Sequence, residues 1–257
     1  MSLPVIELGD PAAPTIVLLH GAGMAAWMWQ PQIVPLSARY HVLAPDLPGF
    51  GDAAASGPFS LEHAAAMVAS VIRQRCDGRA HLCGLSLGAM VALQLAQDAA
   101  ETVASLTLSA GQIHPNPLLM GVQQAIMFAT PRRKFTEELP EVVPQHYPYL
   151  VEVAHAAARK TGKRGMLAAV RAAASTDFRG LLPSIVAPTL ILCGDQDTAN
   201  LPASRKMAAA IPGAELRIIP GAGHVWNLEQ PDVFTRTVGE FVVRAIARDA
   251  LVRRRKR

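Results

Sequence analysis

The chain has 257 residues, of which 51% are hydrophobic and 17% charged, and its net charge is +4. That length fits one domain with a large core, and that composition excludes an intrinsically disordered protein. No apolar run is nearly as long as a membrane-spanning helix, which needs about 20 residues. The net charge excludes no class of partner, because the terminal segment 253–257 contributes +5 and the rest of the chain carries −1.

The first half of the chain alternates strand and helix patterns. Continuous β-branched and leucine runs are typical of strands that are buried on both faces of a parallel sheet. The predicted strands are 15–20, 41–45, 80–83 and 103–108, and the predicted helices are 60–75 and 88–98. This order predicts an α/β fold with a doubly wound, mostly parallel sheet and helices on both faces.

The alternation stops between residues 113 and 182, where helix-prone segments are broken by six prolines. Strand patterns resume at 188–193 and 215–219, and a last helix is predicted to begin at Pro231. We therefore predict an α/β core formed by 1–112 and 183–250, with 113–182 inserted as a helical cap.

The two ends of the chain and its cysteines bear on partners and location. The basic tail, predicted to be disordered over 251–257, could touch nucleic acid, but no aromatic or Gly-rich pattern elsewhere supports a nucleic-acid partner. No signal peptide is visible at the N-terminus. Cys76, Cys83 and Cys193 are an odd number without metal-ligand spacing, which favours free thiols, no metal and a cytoplasmic location.

Unusual residue clusters follow the predicted strands, each at the point where a strand ends. They are His20-Gly21-Ala22-Gly23, Asp46 to Gly51, Ser86, Gly194 to Asp197, and Gly221 to His224. Because catalytic groups of parallel sheets gather at the carboxyl ends of the strands, this shared placement predicts one active site.

Ser86 lies in Gly84-Leu85-Ser86-Leu87-Gly88, between a predicted strand and a predicted helix. The motif alone also fits an ordinary Gly-Ser turn. In this context it indicates a nucleophile elbow, a turn so tight that only glycine fits on both sides of the serine.

A serine nucleophile needs a base, an acid that orients the base, and an oxyanion hole. His224 is the best candidate base, and Asp197 is preferred over Asp195 as the acid, although both follow the same strand. The backbone N–H groups of Ala22 and Leu87 are the candidate oxyanion donors.

The chain order Ser86, Asp197, His224, with His-Gly after the early strand, resembles the α/β-hydrolase fold superfamily over nearly the whole chain. Segments 46–51 and 224–231 also resemble that superfamily. The resemblance implies the same roles for the residues above and a helical cap at 113–182. One departure is the short N-terminus, which leads us to expect that the first strand of the family is missing.

The resemblance implies a serine hydrolase that cleaves an ester, lactone or thioester of a small apolar molecule through an acyl-enzyme, with no cofactor. Trp27, Met28 and Trp226 lie near the motifs and are predicted to line the pocket. Alternatives on the same fold are hydrolysis of a C–C bond in a 1,3-dicarbonyl compound, acyl transfer, and ligand binding without catalysis. The oligomeric state is left open.

Overall fold

The structure is a computed structural model and describes residues 2–131, 143 and 147–255. Its strands are β1 (Val5–Leu8), β2 (Thr15–Leu19), β3 (His41–Pro45), β4 (Ala80–Leu85), β5 (Val103–Ser109), β6 (Thr189–Gly194) and β7 (Glu215–Ile219). Its helices are α1 (Gln30–Ser37), α2 (Leu61–Arg75), α3 (Leu87–Asp98), α4 (Pro117–Ala129), α5 (Pro148–Ala174), α6 (Leu201–Ala210), α7 (Trp226–Glu229) and α8 (Pro231–Arg255).

The strands form one seven-stranded sheet in the order β1-β3-β2-β4-β5-β6-β7. Only β1 runs antiparallel to its neighbour, β3, and the other pairs are parallel. The predicted α/β class and mostly parallel sheet are therefore confirmed.

The sheet is covered on both faces because its central strands are apolar on both faces. In β2, Val17 and Leu19 pack into the core beside α2 and α3, whereas Ile16 and Leu18 pack into the core beside α1 and α8. Successive side chains of a strand point to opposite faces, so one continuous apolar run supplies both cores.

One strand that the sequence analysis does not predict precedes β2, and the expectation that the first strand of the family is missing stays a prediction. Val5–Leu8 forms β1, which pairs with β3 from Val5 opposite Pro45 to Leu8 opposite Val42. This strand has four residues, three of them exposed, and is too short to give a clear hydrophobic alternation in the sequence, so it depends on its pairing with β3.

The last helix is longer than predicted. It continues to Arg255, so residues 251–255 of the supposedly disordered tail are helical, and 256–257 lie outside the described residues. No proline follows Pro231, and basic residues in the last turn of a helix interact favourably with its dipole.

Between β5 and β6, the described residues form α4, α5 and a 3₁₀ turn at Leu182–Ser184. Gly162 interrupts α5 with φ 55° and ψ −176°, which bends the helix. Part of the predicted cap segment 113–182 lies outside the described residues. No helix in the part of the chain that the structure describes is long and apolar enough to cross a bilayer.

Candidate active site

Ser86 lies in a strained turn between β4 and α3. Its backbone has φ 56° and ψ −112°, and Ser86 and Ala110 are the two non-glycine residues with positive φ in the described chain. A backbone conformation of this kind costs free energy and persists only where the surrounding structure imposes it. Ser86 therefore has the geometry of a nucleophile elbow.

Two glycines make this turn possible. A Cβ atom on Gly88 would lie 2.0 Å from the carbonyl oxygen of Leu19, and one on Gly84 would lie 2.3 Å from the carbonyl oxygen of Gly88. Both obstacles are backbone atoms, which cannot move aside as a side chain can. The close packing of α3 on the ends of β2 and β4 thus requires glycine at both positions.

The base and one of the two candidate acids meet at the ends of β6 and β7. Nδ1 of His224 lies 2.7 Å from Oδ2 of Asp197. The side chain of Asp197 is buried, with 5% exposed, whereas that of His224 is 40% exposed. A neutral His224 that donates from Nδ1 keeps Nε2 as a proton acceptor, which is the form that a general base requires.

Asp197 is held in its ionised form. Burial raises the pKa of the carboxyl group, but the hydrogen bonds and charge of His224 and the hydrogen bonds of Asn200 outweigh burial, so the pKa lies below its ordinary value. Asp195 has a different contact, because its Oδ1 accepts the N–H of Gly221 at 2.9 Å. The geometry therefore favours Asp197 over Asp195.

The loop after β2 is anchored by a buried histidine. The His20 ring donates from Nδ1 to the carbonyl oxygen of Gly21 at 2.9 Å, and its Nε2 accepts the N–H of Leu47 at 2.9 Å. Burial lowers the pKa of His20, which favours the neutral ring that these two bonds need. This ring fixes the backbone next to Ala22.

Asp46 ties the neighbouring loops together. Its two carboxylate oxygens accept the N–H groups of Ala26 at 2.7 Å and Asp52 at 2.6 Å. The cluster at 46–51 therefore has a structural function at the edge of the site.

A cavity of about 620 Å³ opens over Ser86. Ser86, His224, Ala22 and Leu87, which the sequence predicts to act together, all line it. Leu87 is the first residue of α3, so its N–H has no carbonyl partner within the helix, and the positive end of the helix dipole lies here. The arrangement can stabilise a negative charge that develops beside Ser86.

The cavity walls are mainly apolar, and their charges are of one sign. No aspartate or glutamate is among the described residues that line it, whereas Arg179 and Lys206 are. Arg179 is paired with Asp177 at 2.6 Å, while Lys206 has no acidic partner among the described side chains. The other lining residues are Met90, Gln112, Ile113, His114, Pro115, Asn116, Ala169, Val170, Ala173, Ala199, Asn200, Pro202 and Ala203.

The prediction that Trp27, Met28 and Trp226 line the pocket is wrong. All three are buried in the core, at 4%, 0% and 0% exposure, and none lines the cavity. The indole N–H of Trp226 donates to Oγ of Ser109 at 2.9 Å, which fixes the ring under the site. These three residues are near the motifs in sequence because their large apolar side chains pack in the core beneath the loops that carry the motifs.

Two polar residues of the site are missing from the sequence prediction. Asn200 donates from Nδ2 to both carboxylate oxygens of Asp197, at 2.9 and 3.0 Å. Gln112, which follows β5, donates from Nε2 to Oδ1 of Asn200 at 2.7 Å. The only signal in the sequence is an asparagine three residues after the candidate acid.

The three cysteines do not line the cavity. Cys76, Cys83 and Cys193 are free thiols, and burial raises the pKa of each. Within the described ranges, no group of three or more His, Cys, Asp or Glu residues is placed to hold a metal ion.

The comparisons with known proteins point to one family. A model of the Alpha/beta hydrolase family matches residues 16–237. The protein named "Putative carbamate hydrolase RutD" from Klebsiella pneumoniae is 31% identical over 248 residues, which covers 91% of this chain and 93% of that protein.

Solved structures agree with this match. The enol-lactonase from Burkholderia xenovorans has a TM-score of 0.82 at 27% identity, covering 94% of this chain and 96% of its own. A thermophilic esterase from Thermogutta terrifontis has a TM-score of 0.81 at 25% identity, covering 95% and 93%.

Proposed function

The chain belongs to the alpha/beta hydrolase family, and from this premise we propose that it is a serine hydrolase that cleaves a carboxylic ester, lactone or thioester of a small, mainly apolar substrate. The observation that carries the proposal is the strained Ser86 turn, which shares one cavity with His224 while Asp197 lies 2.7 Å behind the imidazole. These are the parts of a nucleophile, a base and an orienting acid.

The first half of the reaction forms an acyl-enzyme. Nε2 of His224 takes the hydroxyl proton as Oγ of Ser86 attacks the substrate carbonyl carbon, and Asp197 stabilises the resulting imidazolium. The carbonyl oxygen gains negative charge, and the N–H groups of Ala22 and Leu87, two residues that line the cavity, are the donors that would bind it. His224 then donates its proton to the leaving alcohol, and the bond between that oxygen and the acyl carbon breaks.

The second half repeats these steps with water. His224 takes a proton from water, the hydroxyl attacks the acyl carbon, and Ser86 leaves with the proton that His224 returns. One ester and one water thus give one acid and one alcohol.

The cavity walls support a small apolar substrate that is neutral or negatively charged. Ile113, Ala169 and Val170 offer apolar surface, and no described acidic side chain faces the space. A cationic substrate would approach Arg179 and Lys206 without a compensating carboxylate, which is electrostatically unfavourable. We therefore expect esters that carry a quaternary ammonium group to be poor substrates.

Hydrolysis of a carbamate is a second candidate. It is supported by the 31% identity to a protein named as a carbamate hydrolase, over nearly the full length of both chains. The same nucleophile, base and oxyanion donors would serve, because a carbamate is attacked at its carbonyl carbon as an ester is.

The test is turnover of a chain-length series of p-nitrophenyl esters and of a p-nitrophenyl carbamate. We expect hydrolysis of the short esters, and loss of that activity in Ser86→Ala with an unchanged melting temperature. Ser184→Ala, which alters an exposed serine that does not line the cavity, is the matched control. Full turnover by Ser86→Ala would refute the nucleophile, and turnover of the carbamate alone would favour the second candidate.

A further inference from the structure

A directional chain of hydrogen bonds runs from the cavity wall to the acid of the site. Gln112 Nε2 donates to Asn200 Oδ1 at 2.7 Å, and Asn200 Nδ2 donates to the carboxylate of Asp197. A carboxylate only accepts hydrogen bonds, so the amide of Asn200 must present its NH₂ group to Asp197 and its oxygen to Gln112. Every donor in the chain thus points toward Asp197.

Asn200 does not have the function that its position suggests. It is the N-cap residue of α6, where an asparagine side chain usually accepts a helix N–H, but here the side chain forms no capping hydrogen bond. Its amide nitrogen contacts Asp197 and lies 3.2 Å from Nδ1 of His224, and its amide oxygen accepts from Gln112. The side chain is therefore directed into the site rather than to its own helix.

Gln112 is brought to this position by an unusual turn. Ala110 follows β5 with φ 52° although it is buried, and a Cβ atom on Gly111 would lie 2.9 Å from that of Ala89. The tight turn beside α3 directs Gln112 to the cavity wall, which it lines together with Asn200. Strain of this kind is typical of functional positions.

We propose that Asn200 and Gln112 are positioning residues for the catalytic acid, an inference that rests on the proposed function. Asn200 fixes the rotation of the Asp197 carboxylate, so that Oδ2 stays aimed at Nδ1 of His224. Gln112 fixes which end of the Asn200 amide faces Asp197. Neither residue is the nucleophile, base or acid, and Asn200 acts on the Asp197–His224 pair, because its Nδ2 also lies 3.2 Å from Nδ1 of His224.

The first experiment is a double-mutant cycle between Asn200→Leu and Asp197→Asn, measured on the best p-nitrophenyl ester. Leucine has nearly the volume of asparagine but no donor. We expect Asn200→Leu to lower kcat about 10- to 100-fold, the range for a hydrogen bond to a charged group, with little change in KM. In the Asp197→Asn background the same substitution should lower kcat less than about threefold. The carboxylate that Asn200 positions is already absent there, so the two effects are not additive.

A purely structural role for Asn200 gives the opposite pattern. Equal losses in both backgrounds, or an unchanged kcat in Asn200→Leu, would overturn the inference. The melting temperature of each variant shows whether it is folded.

Gln112→Glu tests the second link. Glutamate keeps the size of glutamine but offers only acceptors, so Asn200 must turn its oxygen toward Asp197. We expect a loss in kcat comparable to that of Asn200→Leu, and no further loss when the two are combined. Gln196→Glu, which adds the same charge at an exposed position next to Asp197 in the chain, is the control, and an equal loss there would mean that charge alone acts.

A titration without substrate separates this inference from the proposed function. The carboxyl carbon of Asp197, followed by NMR, should titrate with a higher pKa in Asn200→Leu than in the wild type, because the side-chain donor of Asn200, one of the groups that lower the pKa, is lost. Wild type without ester turnover would refute the proposed function and leave this readout intact. An unchanged titration of Asp197 in Asn200→Leu would overturn the positioning role.

Discussion

The two sides of the cavity are built differently. At the carboxyl ends of the strands, backbone lies against backbone: added Cβ atoms on Gly84, Gly88 and Gly194 would all lie within 2.3 Å of carbonyl oxygens. On the helical side, added Cβ atoms on Gly121 and Gly162 would meet nothing within 4 Å, although one on Gly165, where α5 packs on the loop after β3, would lie 2.5 Å from the carbonyl oxygen of Gly49.

The side chains show the same contrast. Leu118, Val122 and Ile126 of α4 are exposed, at 76%, 51% and 63%, whereas β2 to β6 are almost fully buried. The strand ends hold the groups of the proposed chemistry, and α5 forms part of the opposite wall. We therefore expect the proposed reaction to depend on the tightly packed groups at the strand ends. We expect the range of substrates to depend on the side chains of the helical wall, where substitutions are better tolerated.

The largest effect on kcat is expected from substitution of one of the two acids that follow β6. Asp197→Asn should lower kcat about 10³- to 10⁴-fold, because an amide no longer stabilises the imidazolium or selects the Nδ1–H tautomer. Asp195→Asn should leave kcat within about threefold, because asparagine keeps an acceptor for the N–H of Gly221. Steady-state kinetics of both variants decides, and a larger loss in Asp195→Asn would reverse the assignment.

Two glycine-to-alanine substitutions test the difference in packing. Gly88→Ala should lower the free energy of unfolding by about 3 kcal/mol or more, because the new methyl group meets the carbonyl oxygen of Leu19 at 2.0 Å. Gly121→Ala, in the exposed helix α4, should raise it by up to about 1 kcal/mol, because alanine is the better helix former. Urea unfolding measures both, and similar effects of the two substitutions would contradict the contrast between the two sides.

The smallest effect is expected at the helical wall. Ala173→Leu fills part of the cavity from α5 and should raise KM about 10-fold for long acyl chains, with kcat for the acetyl ester unchanged. Ala172→Leu, on the adjacent residue of α5 outside the cavity lining, is the control. A large fall in kcat for the acetyl ester of Ala173→Leu would show that this wall also positions the reacting groups.

The sequence predicts the sheet well because buried parallel strands are continuous apolar runs, as in β2 and β3. It predicts the elbow because the glycines around Ser86 are required by local geometry. It misses β1, whose four residues are defined by pairing with β3.

The pocket is less predictable than the sheet. Trp27 and Trp226 are close to the motifs in sequence, but their rings turn into the core, which only the packing of α1, α7 and α8 decides. Asn200 and Gln112 are 88 residues apart, and their contact depends on side-chain rotamers and on the turn at Ala110. No local pattern encodes a contact of this kind.

The central claim, that Ser86 is the nucleophile, is tested most directly by a fluorophosphonate probe, which forms a covalent bond with activated serines. Intact-protein mass spectrometry should show one phosphonyl group per chain, and fragmentation of the labelled peptide should place it on Ser86, with no label on Ser86→Ala. Labelling of another residue, or ester turnover that continues while Ser86 stays unmodified, would contradict the account.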